Sequence, residues 1–129
     1  MLLLLDTHLL VWTAKRPERL PRKASRLIAG RANTPVFSSA SIWEVAIKTG
    51  RGRTSFRVDA AELREGLLAA GYREIAMTGE HAVAVARLPP LHKDPFDRLL
   101  IAQATLEGAT LLTSDAEMAR YGEPVRFVG

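Results

Sequence analysis

The chain has 129 residues, no cysteine, and a formal charge of +4 from 18 Lys and Arg against 14 Asp and Glu. This length predicts a single domain over residues 1–129 that buries roughly two thirds of the surface its unfolded chain would expose. Without cysteine, disulfides, thiolate zinc sites and a cysteine nucleophile are excluded, and the basic balance suits a polyanionic partner such as RNA or an acidic protein segment.

The first apolar run, Met1 to Leu5, is cut short by Asp6 and has no basic leader or cleavage site. It reads as neither a signal peptide nor a membrane span, and a cytoplasmic protein with no membrane partner is expected. Leu2 to Leu5 fits a strand buried on both faces. Asp6 and Thr7 then open a helix through Leu9-Leu10-Val11-Trp12 that ends before Pro17. A second amphipathic helix runs from Pro21 to about Gly30, with Ala24, Leu27 and Ile28 on its buried side. Pro35 to Ser38 predicts a second strand. Ser41 with Glu44 three residues on has the spacing of a capping box at the start of a third helix. A basic, glycine-containing loop follows, with Arg51, Arg53 and Arg57.

Asp59 and Glu62 repeat the capping pattern ahead of Leu63, Leu67 and Leu68, and Tyr72 to Met77 predicts a third strand. Thr78 to Leu88 reads as a helix that buries Ala82, Val83, Val85 and Ala86 and stops at Pro89-Pro90. Asp94-Pro95 has the form of a helix start, an acceptor at the N-cap and a ring that fixes φ at the first helical position. Asp97 falls in the first turn of that helix, near the positive end of its dipole. Leu99 to Ala104 is almost wholly apolar, and Gly108 suits a C-cap. Ala109 to Leu112 predicts a strand, Thr113-Ser114-Asp115 the turn after it, Glu117 to Tyr121 a short helix, and Val125 to Val128 a closing strand. Short strands alternating with helices imply an α/β fold: a three-layer α/β/α arrangement whose short central sheet is mostly parallel.

In such a sheet, ligands bind outside the C-terminal strand ends. Asp6 and Asp115 each follow a strand, and Glu44 and Asp97 lie near helix starts that face the same edge. Four acids from distant segments can thus share one crevice. Two carboxylates about 4 Å apart repel by roughly 4 kcal/mol at an effective dielectric near 20, so the cluster calls for protons or a cation. Oxygen ligands without thiolates or paired histidines select Mg²⁺ or Mn²⁺. A hard cation in this setting can activate water and stabilise a leaving oxygen, which is metal-assisted hydrolysis of a phosphodiester.

Leu5-Asp6-Thr7-His8, Ser41 to Lys48, His92 to Ala104 and Leu112-Thr113-Ser114-Asp115 together resemble the four signature blocks of the PIN-domain ribonucleases, specifically the VapC-type toxins. The blocks stand in the family's order and span nearly the whole chain. The resemblance implies a PIN-like fold and a Mg²⁺- or Mn²⁺-dependent endoribonuclease. It also implies a homodimer neutralised by a VapB-type antitoxin. Carried over by position, Asp6, Glu44, Asp97 and Asp115 would form the acidic quartet. Asp6 and Asp97 would be direct metal ligands, with Glu44 and Asp115 acting directly or through water. Thr113 would support the site, and Asp94, a match to a recurrent family residue, is read chiefly as a cap.

Lys48, Arg51, Arg53 and Arg57 could meet RNA phosphates or an acidic antitoxin segment. Arg98 could clamp a phosphate or balance the nearby acids. His8 and His92 flank two of the acids without an i, i+4 partner histidine, and a structural role is expected for both. Trp12 and Trp43 are expected to be core or dimer-interface aromatics. The rival from another class is a non-catalytic RNA- or protein-binding module that keeps the fold and uses the acids as caps.

Overall fold

The computed structural model describes residues 1–50 and 57–129. Five strands, β1 (Leu2–Leu5), β2 (Thr34–Ser38), β3 (Arg73–Ile75), β4 (Thr110–Thr113) and β5 (Val125–Phe127), form one sheet in the order β3-β2-β1-β4-β5. Every neighbouring pair is parallel, with Leu4 opposite Val36 on one side and Leu111 on the other. The order reverses between β1 and β4, so a crevice is expected at their C-terminal ends.

Each central strand is apolar on both faces. Leu3, Leu5, Phe37 and Leu112 enter one core, and Leu4, Val36 and Leu111 enter the other. The first core is closed by α1 (Thr7–Lys15), α2 (Arg22–Ala29), α3 (Ser39–Gly50) and α4 (Ala60–Ala69), through Leu9, Leu10, Ala24, Val45, Leu63 and Leu67. The second is closed mainly by α6 (Pro95–Glu107) and α7 (Ala116–Ala119), through Leu100, Ile101, Ala104 and Met118. The sheet therefore has helices on both faces, as alternating short strands and helices predict. Every residue of α6 from Leu99 to Ala104 is buried, which seats this helix firmly against the sheet. Gly108 ends it at φ 66°, a left-handed cap that favours glycine.

Three local expectations are corrected. First, α3 starts directly after β2, where the Ser38 hydroxyl accepts from the Ala40 N–H (3.0 Å), so Ser41 and Glu44 lie inside the helix and form no capping box. Second, the helix after Thr78 is shorter, α5 (Gly79–Val85), and its buried side is rotated. Thr78 and His81 form a capping box that turns His81 inward (3% exposed) and leaves Val83 63% exposed. Third, β3 is only three residues long, and Met77 is exposed. Among the described residues, no helix is long and apolar enough to cross a membrane.

Candidate active site

At the C-terminal end of β1, Asp6 caps α1, its Oδ1 accepting from the Leu9 N–H (2.8 Å). At the end of β4, Asp115 caps α7 by accepting from the Glu117 N–H (2.8 Å). Both carboxylates are held where a strand meets a helix start, so the positive end of a helix dipole faces each. Asp94 caps α6 as its sequence suggests, its Oδ1 accepting from the N–H groups of Phe96 (2.9 Å) and Asp97 (3.0 Å). That cap places Asp97 in the first turn of α6 and aims it at the same crevice. All four acids of the quartet, Asp6, Glu44, Asp97 and Asp115, line one pocket of about 370 Å³ together with Thr7, His8, His92 and Asp94.

Thr113 ties two of these acids together. Its hydroxyl donates to Asp6 Oδ2 (2.5 Å) and accepts from the Asp115 N–H (3.0 Å). Glu44 is buried and partnered on both oxygens: the Thr7 hydroxyl donates to Oε1 (2.7 Å), and the Lys48 ammonium lies 2.5 Å from Oε2. Sequence reasoning misses Thr7, although it stands beside Asp6 in the first signature block. Its hydroxyl joins α1 to α3 across 37 residues of chain.

Burial pushes the Asp97 carboxyl up from 3.8 to about 7, against the lowering effect of its bond to His92 and with added repulsion from Asp94 and Glu44. Burial also raises Asp6, opposed by the bonds from Thr113 and Leu9, with a smaller contribution from the Asp115 charge. A pocket that raises its carboxyls in this way gains from a cation, because a nearby positive charge favours the ionised form, offsetting the burial penalty and relieving the repulsion between the acids. The donor atoms to hold one are present. His92, Asp97 and Asp115 each offer one ligand atom, and the three lie within 4.8 Å of one another.

His92 is thus drawn into the acidic cluster. Its Nε2 lies 2.7 Å from Asp97 Oδ2, and its backbone N–H donates to the Tyr121 hydroxyl (3.1 Å). Because His92 reaches Asp97 from a loop five residues earlier, helical spacing offers no signal for the pairing.

Two of the basic candidates have structural partners. Lys48 faces Glu44 within the pocket. The Arg98 guanidinium donates to the carbonyls of Val85 and Pro89 (3.1 Å each) and to the Tyr121 hydroxyl (3.1 Å). It is therefore turned toward the segment between α5 and α6 and forms no ion pair with the acids of the pocket among the described residues. Arg57 is exposed, and Arg51 and Arg53 lie outside the described residues. Trp43 is 55% exposed and meets Phe96 edge to face (5.2 Å), so it is no core residue; Trp12 is half-buried and borders the acidic pocket.

Residues 3–124 match the PIN domain. The chain is 29% identical over 122 residues to the ribonuclease VapC22 of Mycobacterium tuberculosis, covering 94% of this chain and 92% of that protein. The fold is similar to that in the crystal structure of VapBC2 from Rickettsia felis bound to a promoter DNA fragment (TM-score 0.68, 18% identity, 98% and 97% of the two chains). It is also similar to VapBC-1 from nontypeable Haemophilus influenzae (TM-score 0.67, 16% identity, 98% and 96%). With the signature acids gathered at the switch point of a parallel sheet and the match spanning nearly its whole length, this chain belongs to the PIN-domain family.

Proposed function

We propose that the chain is a metal-dependent endoribonuclease, the toxin of a type II toxin–antitoxin pair, formed by one catalytic domain over its length. The observation that carries the reading is the convergence of Asp6, Glu44, Asp97 and Asp115, from four separate segments, on one pocket of a PIN fold. The ribonuclease relative and the toxin–antitoxin structures of similar fold support the biological role. A VapB-type antitoxin is the proposed partner, a homodimer the proposed assembly, and the cytoplasm the proposed location.

The cation is proposed to be Mg²⁺ or Mn²⁺, held by Asp97 and Asp115 with His92 within reach of the same point, and with Asp6 on the wall of the same pocket. Carboxylate-rich donors suit both ions, and the single imidazole favours Mn²⁺ of the two. When bound, the ion supplies Lewis acidity and a water of lowered pKa. The chain's own residues set up the chemistry. Thr113 holds Asp6 and the start of α7 in register, Asp94 orients Asp97, and Thr7 with Lys48 fixes Glu44, whose charge Lys48 balances.

The test is cleavage of single-stranded RNA in Mg²⁺ or Mn²⁺, its loss in chelator, and its loss in Asp6→Asn and Asp97→Asn variants that keep a cooperative melt. Cleavage undiminished in both variants would refute the assignment. Folded wild-type protein that binds RNA without cutting it in either metal would favour the binding-module alternative. Expression of the wild type should arrest growth of a host cell, and that of the two variants should not.

A further inference from the structure

We infer that the outer face of α1 and the Arg57 segment form a binding tract for the sugar–phosphate backbone and bases of single-stranded RNA flanking the cleavage point, an inference that rests on the nuclease reading for its substrate. A second groove, of about 470 Å³, adjoins the acidic pocket and shares Trp12 with it. It is walled by Lys15, Arg16, Arg19 and Arg57, all exposed. Its two acids have partners: Asp59 caps α4 by accepting from the Glu62 N–H, and Glu62 lies 3.8 Å from Lys15. Among the described residues, Arg16, Arg19 and Arg57 have no ion-pair partner. Four cations against two acids leave the groove net positive beside a net negative pocket.

The arrangement is directional. His8, Trp12 and Lys15 follow at helical spacing along one side of α1, and Arg16 at its C-cap and Arg19 in the 3-10 turn Pro17–Arg19 line the same groove as Trp12 and Lys15. This side begins next to Asp6 and runs about 13 Å, the length of a nine-residue helix. The His8 and Trp12 rings lie 6.1 Å apart at 59°; both line the acidic pocket, and Trp12 also lines the basic groove. Aromatic faces followed by guanidinium groups fit successive bases and phosphates, since bases of any identity stack and planar guanidinium groups match phosphate oxygens. An RNA strand is therefore the occupant that accounts for both the rings and the charges.

The test is fluorescence anisotropy of a labelled twelve-nucleotide RNA in EDTA, with salt titration. Removing one cation that neutralises a phosphate should reduce the slope of log K against log salt by about 0.7. Arg16→Gln, Arg19→Gln and Arg57→Gln together should flatten the slope by one to two such steps, whereas Arg87→Gln, on the segment after α5, should not. Trp12→Ala should weaken binding by roughly tenfold. Trp12→Phe, which keeps an apolar ring over the core, should recover most of that affinity. Slopes equal to that of Arg87→Gln would overturn the tract. So would unchanged RNA binding alongside weakened binding of an oligoglutamate peptide, which would make the groove a protein dock. Because binding is read without metal, a protein that binds along this face and fails to cut would keep the tract and remove the nuclease reading. A protein that cuts while the variants bind normally would do the reverse.

Discussion

Replacing Asp97 by Asn should stabilise the metal-free protein while abolishing its response to metal. The Asp97 carboxyl goes from its ordinary 3.8 to about 7 in the fold, chiefly through burial. A folded-state pKa above the unfolded value means that the stability this group contributes is fully present below pH 3.8. It is then lost as pH rises through about 7. At pH 8 the ionised side chain thus costs the fold up to about 4 kcal/mol. Asn has nearly the same shape, can still hydrogen-bond to His92, and carries no charge. Its gain should be about 2 to 4 kcal/mol, a rise in melting temperature on the order of 7–15 °C for a domain of this size. The assay is thermal unfolding in EDTA at pH 8 and pH 5, repeated with millimolar Mn²⁺. Wild type should gain stability with Mn²⁺ at pH 8, the variant should gain little, and the difference between the two in EDTA should shrink at pH 5. An Asp97→Asn protein that melts below wild type in EDTA at pH 8 would refute the reasoning. It would show that the helix dipole and His92 stabilise the ionised carboxylate more than burial penalises it.

The same direction of shift predicts that Mn²⁺ or Mg²⁺ affinity and RNA cleavage both rise with pH through about 7, as Asp97 gives up its proton; single-turnover rates between pH 5.5 and 8.5 would check this. Thr113→Val removes the bond to Asp6 and leaves the Asp115 N–H without its hydroxyl partner. Cleavage should fall by tenfold or more and stability by about 1–3 kcal/mol, measured by kinetics and denaturant melts. Arg98→Ala removes the donors that tie the carbonyls of Val85 and Pro89 and the Tyr121 hydroxyl to α6. Stability should drop by about 2–3 kcal/mol, and the segment bearing His92 should lose protection in hydrogen exchange.

The features legible in the sequence are those whose causes lie within a few residues. Asp6, Asp94 and Asp115 cap helices through backbone N–H groups two or three positions ahead, so the residue types alone mark where each helix begins. The apolar runs of β1 and β4 mark strands buried on both faces. Caps at the ends of parallel strands suffice to predict that the acids share an edge. Only the tertiary structure decides how the edge is wired. Thr113 reaches Asp6 across 107 residues, Thr7 reaches Glu44 across 37, and Arg98 donates to carbonyls that come within its reach only once α5 and α6 pack together. His81 displaces Val83 from the buried side because a cap and the Glu107 carboxylate hold its ring inward, which no periodicity encodes. The physical division is one of range: capping and strand burial are local or periodic and survive in one dimension. The pairing of buried charges depends on which distant groups the packed sheet and helices bring within about 3 Å of one another.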